Sequence, residues 1–134
     1  MSDDLKNTIQ KYFQHQKEVI AVYLFGSYAS AKNRFFSDVD IGVILNHSVM
    51  QQSFALRNRF TVVLGRKLRQ DIHITVLNTA GELLLKQVFQ KGACVCVNHP
   101  DQLKYFKMTR YAMIAEFGYY LKMTQDGFCR ALQR

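Results

Sequence analysis

Gly26 and Ser27, followed after ten residues by Asp38, Val39 and Asp40, are the residues whose types and spacing could do chemistry in this chain. The stretch reads GSYASAKNRFFSDVDIGVIL. Before it, Val19 to Phe25 (VIAVYLF) has the length and the β-branched and aromatic content of a buried strand, and Gly26-Ser27 turns the chain out of it. A short helix is predicted to begin near Tyr28. The N–H groups at a helix start are unpaired and carry the positive end of the dipole, so together with the Ser27 hydroxyl they suit phosphate oxygens. Gly26 leaves room for a close approach, having no Cβ. The next strand, Asp38 to Leu45, alternates: Val39, Ile41, Val43 and Leu45 fall on one face and Asp38, Asp40 and Gly42 on the other. Two carboxylates therefore share a face.

Carboxylates that close repel one another unless a cation sits between them, and Mg2+ held by one or two carboxylates plus substrate phosphates is the usual arrangement. Arg69 to Leu77 (RQDIHITVL) alternates again, with Ile72, Ile74 and Val76 on the apolar face and Asp71, His73 and Thr75 opposite. Asp71 starts its strand as Asp38 does, so if the two strands are neighbours the three carboxylates meet at one end of the sheet. That is the geometry of two-metal phosphoryl transfer. His73 shares a face with Asp71 and could assist phosphate or metal binding, but a lone His at a polar sheet edge reads first as a solvated residue. His15, His47 and His99 fall at helix ends or in loops without a partner pattern, and Ser37 reads as a turn or strand cap. No Ser-His-Asp or Cys-His arrangement is supported.

The elements that must position these residues follow from periodicity. A helix is predicted from Asp3 to about Gln16, with Leu5, Ile9, Tyr12 and Phe13 at helical spacing and Asp3 and Asp4 at its positive end. Another runs from about Gln51 to Leu68, where Leu56, Phe60, Val63, Leu64 and Leu68 form a core stripe. A further helix spans Gly81 to Lys91 and stops at Gly92, before the short strand Ala93 to Val97. Pro100 marks the first turn of a final long helix carrying Phe106, Met113, Ile114, Phe117, Tyr120 and Leu121, ending before Gly127. Its further aromatics, Tyr105, Tyr111 and Tyr119, exceed what one stripe can bury, so it either packs along the domain or meets a partner.

With 134 residues, 49% of them hydrophobic, and only seven Gly and one Pro, the chain is read as one folded α/β (α+β) domain over 1–134 and not as a disordered segment. The start, MSDDLK, lacks a basic region before an apolar run, and no stretch reaches the roughly 18 apolar residues of a membrane helix. A cytoplasmic protein without membrane contact is expected. Three cysteines argue against a disulfide framework, and Cys94 and Cys96, alternating on one strand, read as sheet packing rather than a metal site. The net charge of +8 points to an anionic partner. Arg57, Arg59, Arg66, Lys67 and Arg69 gather on and after one helix, but without an aromatic-plus-basic motif they read as solvated surface ahead of a nucleic-acid site, which is not excluded.

Taken together, Gly26, Ser27, Asp38, Asp40 and Asp71 resemble the polymerase β-like nucleotidyltransferases, and among them the minimal nucleotidyltransferases of the MNT or MntA type. The family pattern is GS, ten residues, DxD, then a third Asp on a later strand. The segment GELLLKQVFQKG followed by ACVCV is similar to the family's closing helix and strand, so the resemblance covers a core of about residues 5–98, with residues 99–134 as a helical extension. It implies a mixed sheet of about four strands, flanking helices and a long C-terminal helix. One departure is Ala31, where many relatives carry Gly two positions after the Ala of GSxA. The intact acidic triad argues against a degenerate copy.

The resemblance implies transfer of AMP from ATP, with two Mg2+ ions (or Mn2+ in their place) held by Asp38, Asp40 and Asp71. Asp71 would also position or deprotonate the incoming hydroxyl, and Gly26 and Ser27 would hold the β- and γ-phosphates. Relatives that modify small molecules or RNA carry a large acceptor domain, which this length does not accommodate. A macromolecular acceptor fits better. The resemblance implies an antitoxin that adds AMP to a tyrosine of a HEPN-domain ribonuclease toxin (HepT-like), in a hetero-oligomer. The alternatives are an antitoxin that only occludes its partner, and a small-molecule nucleotidyltransferase whose acceptor domain is a separate chain.

Overall fold

VIAVYLF forms a central strand because none of its side chains has to meet water. In the computed structural model, which describes residues 2–26 and 39–113, this segment is β1 (Val19–Phe25), buried along nearly its whole length. The preceding helix is α1 (Ser2–Phe13). After β1 come β2 (Val39–Leu45), a 3-10 turn (His47–Gln52), α2 (Ser53–Leu68), β3 (Ile72–Val76), a second 3-10 turn (Leu77–Thr79), α3 (Glu82–Lys91) and β4 (Ala93–Val97). A final helix, α4, covers residues 100–113. The strands lie in the order β3-β2-β1-β4. β1 is antiparallel to both of its neighbours, whereas β2 and β3 run parallel, which makes the sheet mixed as expected.

Both faces of the sheet are covered, by different helices. On one, Val19, Val22, Leu24, Val39, Ile41, Val43, Leu45 and Ile74 pack against Leu5, Ile9 and Phe13 of α1 and Leu56, Phe60 and Leu64 of α2. Tyr12, Phe13 and Phe60 meet edge to face, with ring centroids 5.0 to 6.0 Å apart, a favoured geometry for aromatic rings. On the other face, Ile20, Ala21, Tyr23 and Ile44 pack against Leu77, Leu85 and Val88, and against Leu103 and Phe106 of α4. Ile20 and Ala21 both reach this second cluster because the register with β2 slips between Val19 and Ala21, a bulge that re-aims one side chain. Among the described residues the buried Tyr23 hydroxyl meets no nitrogen or oxygen partner; burial, then the Cys94 thiol opposite it, push its pKa well up. Lys107 of α4 lies 5.7 Å from the Tyr23 ring and 5.6 Å from that of Phe89, joining α4 to α3 and the sheet.

The sequence-based boundaries hold for β1 and β4 and differ at two helices. α1 stops at Phe13, not Gln16, because its last turn is closed from outside: Asn98 Nδ2 donates to the carbonyls of Phe13 (2.8 Å), Gln16 (3.1 Å) and Val19 (3.1 Å). The helix predicted from Gln51 begins as the 3-10 turn at His47, capped by the Asn46 side chain accepting from Ser48 N–H, and becomes α-helical only at Ser53. Of its stripe, Leu56, Phe60 and Leu64 are core as expected, Leu68 is partly buried against them, and Val63 joins neither cluster. Arg59, Arg66, Lys67 and Arg69 are exposed, and Arg59 reaches Gln16 Oε1 at 3.0 Å. Ala31, Ser37, the helix expected near Tyr28 and residues 114–134 lie outside the described residues. No described helix is long and apolar enough to cross a membrane.

Asn98 holds the start of β1, the end of α1 and the exit of β4 together. Asn98→Ala removes a donor shared by three carbonyls, of which Phe13 O and Gln16 O keep the backbone N–H groups of Gln16 and Val19, and should lower unfolding free energy by about 1 kcal/mol in urea titrations. A loss within error of zero would show that water replaces the amide without penalty.

Candidate active site

The site is built on a gradient of burial along β2. At its C-terminal end, Val43, Ile44 and Leu45 are all buried, enclosed on both faces. At its N-terminal end only Val39 and Ile41 face a core, and Asp40 and Gly42 alternate onto the second face. Gly42 marks the change. A Cβ there would fall 2.9 Å from Leu77 Cδ1, so Leu77 rests directly on the backbone and closes the apolar end. Beyond it the second face is open: the Asp40 side chain is 33% exposed and that of His73 66%.

Pairing sets the rest. β1 and β2 match Phe25 with Asp40, and β2 and β3 match Asp40 with His73. Phe25, Asp40 and His73 are thus one row across three strands, with the carboxylate in the middle. Its two oxygens have different neighbours. Asp40 Oδ1 lies 3.5 Å from His73 Nδ1. Oδ2 is turned toward Gly26, where a Cβ would come within 2.5 Å of it. Gly26 follows β1 with φ of +76°, a conformation that favours glycine, so it supplies both the turn and the space that the Asp40 side chain occupies.

Asp71 ends the short connection from α2. Arg69 caps that helix in the left-handed region at φ 53° and reverses the chain. The Asp71 carbonyl accepts from Val39 N–H at 3.0 Å, and its side chain is exposed. The parallel pairing that the sequence required is therefore present, and it places the Asp71 backbone against the start of β2, two residues before the His73 that pairs with Asp40. Ser27 and Asp38 lie outside the described residues. Among the described residues no three His, Cys, Asp or Glu side chains gather to hold an ion, Asp40, Asp71 and His73 included. The donors present are accessible carboxylate oxygens, which suit hard cations such as Mg2+ or Mn2+. The sequence placed His73 on this face and read it as solvated, and its side chain is indeed exposed; its contact with Asp40 becomes visible only with the β2–β3 register.

Residues 7–101 match the family described as Polymerase beta, Nucleotidyltransferase, and the chain belongs to that family. It carries a nucleotidyltransferase domain. Similar solved structures share its fold over most of its length. A chain of a toxin–antitoxin crystallised with AMP-PNP is 21% identical, with 92% of this chain and 98% of that one covered and a TM-score of 0.68. One from the tri-AMPylated Shewanella oneidensis HEPN toxin in complex with MNT antitoxin is 19% identical, with 96% and 99% covered and a TM-score of 0.64. A third, from the toxin–antitoxin MntA-HepT, is 19% identical over 95% and 98%, with a TM-score of 0.63. No curated protein matches the sequence significantly.

The fit between Gly26 and Asp40 is testable. Gly26→Ala forces an L-residue into a left-handed conformation, which costs about 1 to 2 kcal/mol, and drives the new methyl against Asp40 Oδ2. The variant should stay folded, melt several degrees lower and bind Mg2+-nucleotide at least about tenfold more weakly. Wild-type nucleotide affinity in fluorescence titrations would show that Asp40 does not need that space.

Proposed function

We propose that this protein is the antitoxin of a toxin–antitoxin pair and transfers AMP from ATP to a tyrosine hydroxyl of a HEPN-domain ribonuclease. The observation that carries the reading is the β2–β3 register, which sets Asp71 against the start of β2 and leaves Asp40 beside Gly26, at an end of the sheet that is open among the described residues. It is supported by the nucleotidyltransferase family of residues 7–101 and by the AMP-PNP-bound and AMPylated complexes among the structures of like fold.

Asp38, Asp40 and Asp71 would hold two Mg2+ ions. Bound there with ATP, these ions supply positive charge to the attacking and leaving oxygens of an in-line displacement. The chain's own groups do the rest. Ser27 and the amides after Gly26 bind the β- and γ-phosphates and fix the α-phosphorus in front of Asp40. Asp71, immediately before the edge strand β3, meets the incoming hydroxyl and takes its proton. The tyrosine oxygen bonds to the α-phosphorus as the bond to the β-phosphate oxygen breaks, and pyrophosphate leaves. A phenol is a sensible acceptor, because with a pKa near 10 it ionises far more readily than an aliphatic alcohol.

The partner is supported by α4. Tyr105 and Met108 remain largely exposed, at 71% and 63%, and Met113 is 43% exposed, more apolar surface than a helix facing only water needs. Beside it lies a groove of about 640 Å3 lined by Leu45, His47, Asn78, Tyr105, Phe106 and Arg110. That surface also suits the second reading, neutralisation by occlusion alone, since it binds without chemistry.

Asp38→Asn with Asp40→Asn separates the two readings. Transfer from ATP should fall by at least roughly two to three orders of magnitude, and the melting temperature should hold or rise as carboxylate repulsion is removed. Cells carrying the cognate toxin should lose protection with this variant. Protection equal to wild type would overturn the enzymatic reading in favour of occlusion.

A further inference from the structure

We propose that His73 is a positioning residue for the nucleotidyltransferase site: its ring holds the Asp40 carboxylate so that the other oxygen is presented to the cation. The inference rests on the catalytic reading above and adds a residue to it.

Four observations carry it. The β2–β3 register pairs His73 directly with Asp40, so the two side chains stand side by side on the same face. The ring approaches through Nδ1, 3.5 Å from Asp40 Oδ1, within ion-pair reach although long for a hydrogen bond. The two carboxylate oxygens are thereby distinguished, since Oδ2 is the one turned toward Gly26 and the phosphate-binding turn. Finally, His73 is 66% exposed in its side chain, and it belongs to neither of the buried clusters of the sheet, so the fold does not need it for packing.

An exposed carboxylate rotates about its Cβ–Cγ bond, and that freedom is lost when it ligates a cation. A donor on Oδ1 removes part of it beforehand, and leaves the lone pairs of Oδ2 directed at the Gly26 end of the site. Ligating carboxylates are commonly held by such outer contacts, and losing one typically weakens metal binding by about 10- to 100-fold. The 3.5 Å separation is expected to close to hydrogen-bond length when Mg2+-nucleotide binds, as active-site contacts often do.

The test compares His73→Ala, His73→Asn and His73→Gln in the full chain. An Asn amide nitrogen falls near the position of Nδ1, and a Gln amide nitrogen nearer that of Nε2, so only the first can replace the proposed contact. Mn2+ affinity in the presence of AMP-PNP, read by electron paramagnetic resonance, should fall about tenfold or more in His73→Ala. It should recover in His73→Asn and stay low in His73→Gln, with all three melting like wild type. With the partner present, excess Mg2+ should restore the transfer rate of His73→Ala while leaving its KM for the acceptor unchanged. Unchanged Mn2+ affinity in His73→Ala, or equal recovery by Gln and Asn, would overturn the role of His73 and leave the catalytic reading standing. A wild-type protein that binds no Mn2+ with AMP-PNP would overturn both.

Discussion

The parallel pairing of β2 with β3 is the constraint on which the site depends. Val39 N–H donates to the Asp71 carbonyl at 3.0 Å, and from there the register runs Val39 to Ile72, Asp40 to His73 and onward. Because side chains alternate along a strand, a slip of one residue would carry Asp40 or Asp71 to the opposite face, into the aliphatic core beneath α1 and α2. The core enforces the register from that side. Val39, Ile41 and Val43 are fully buried and Ile74 nearly so, and exposing that set would cost several kcal/mol at about 25 cal/mol per Å2. Hydrophobic burial on one face thus determines where carboxylates stand on the other.

A parallel pair needs a crossover, and here α2 supplies it while covering the first face. The second face is closed only in part. α3 and α4 seal it over Ile20, Ala21, Tyr23 and Ile44, and Leu77 seated on Gly42 marks the limit. Arg110 donates to the Asn78 carbonyl at 2.8 Å, while the Asn78 side chain accepts from Leu45 N–H and donates to Leu45 O, both at 2.8 Å. These bonds fix α4 over the closed end. Among the described residues, the open remainder is where Gly26, Asp40, Asp71 and His73 lie, so the polar site and the apolar core share one sheet without either exposing the other.

How much of this was legible in the sequence depends on whether the causes were local. β1 and β4 begin and end where their apolar runs do, because strands buried by neighbours carry their own signal. The alternation along β2 and β3 placed Asp40 and His73 on the open face. The end of α1 was not legible, since the side chain that closes it, Asn98, lies 85 residues from Phe13. Nor was the contact of His73, whose partner is set by the register of two strands separated by the whole of α2. Asp38 and Ser27 were singled out on spacing, and they lie outside the described residues.

The central claim is that this chain moves a nucleotidyl group and not a phosphoryl group. It is tested most directly by incubating it with Mg2+, the protein encoded beside it and ATP labelled at either the α- or the γ-phosphorus. The account predicts that α-label becomes covalently attached to a tyrosine of the partner while γ-label is released as pyrophosphate. Attachment of γ-label, or no attachment of α-label to a partner that nevertheless binds, would contradict it.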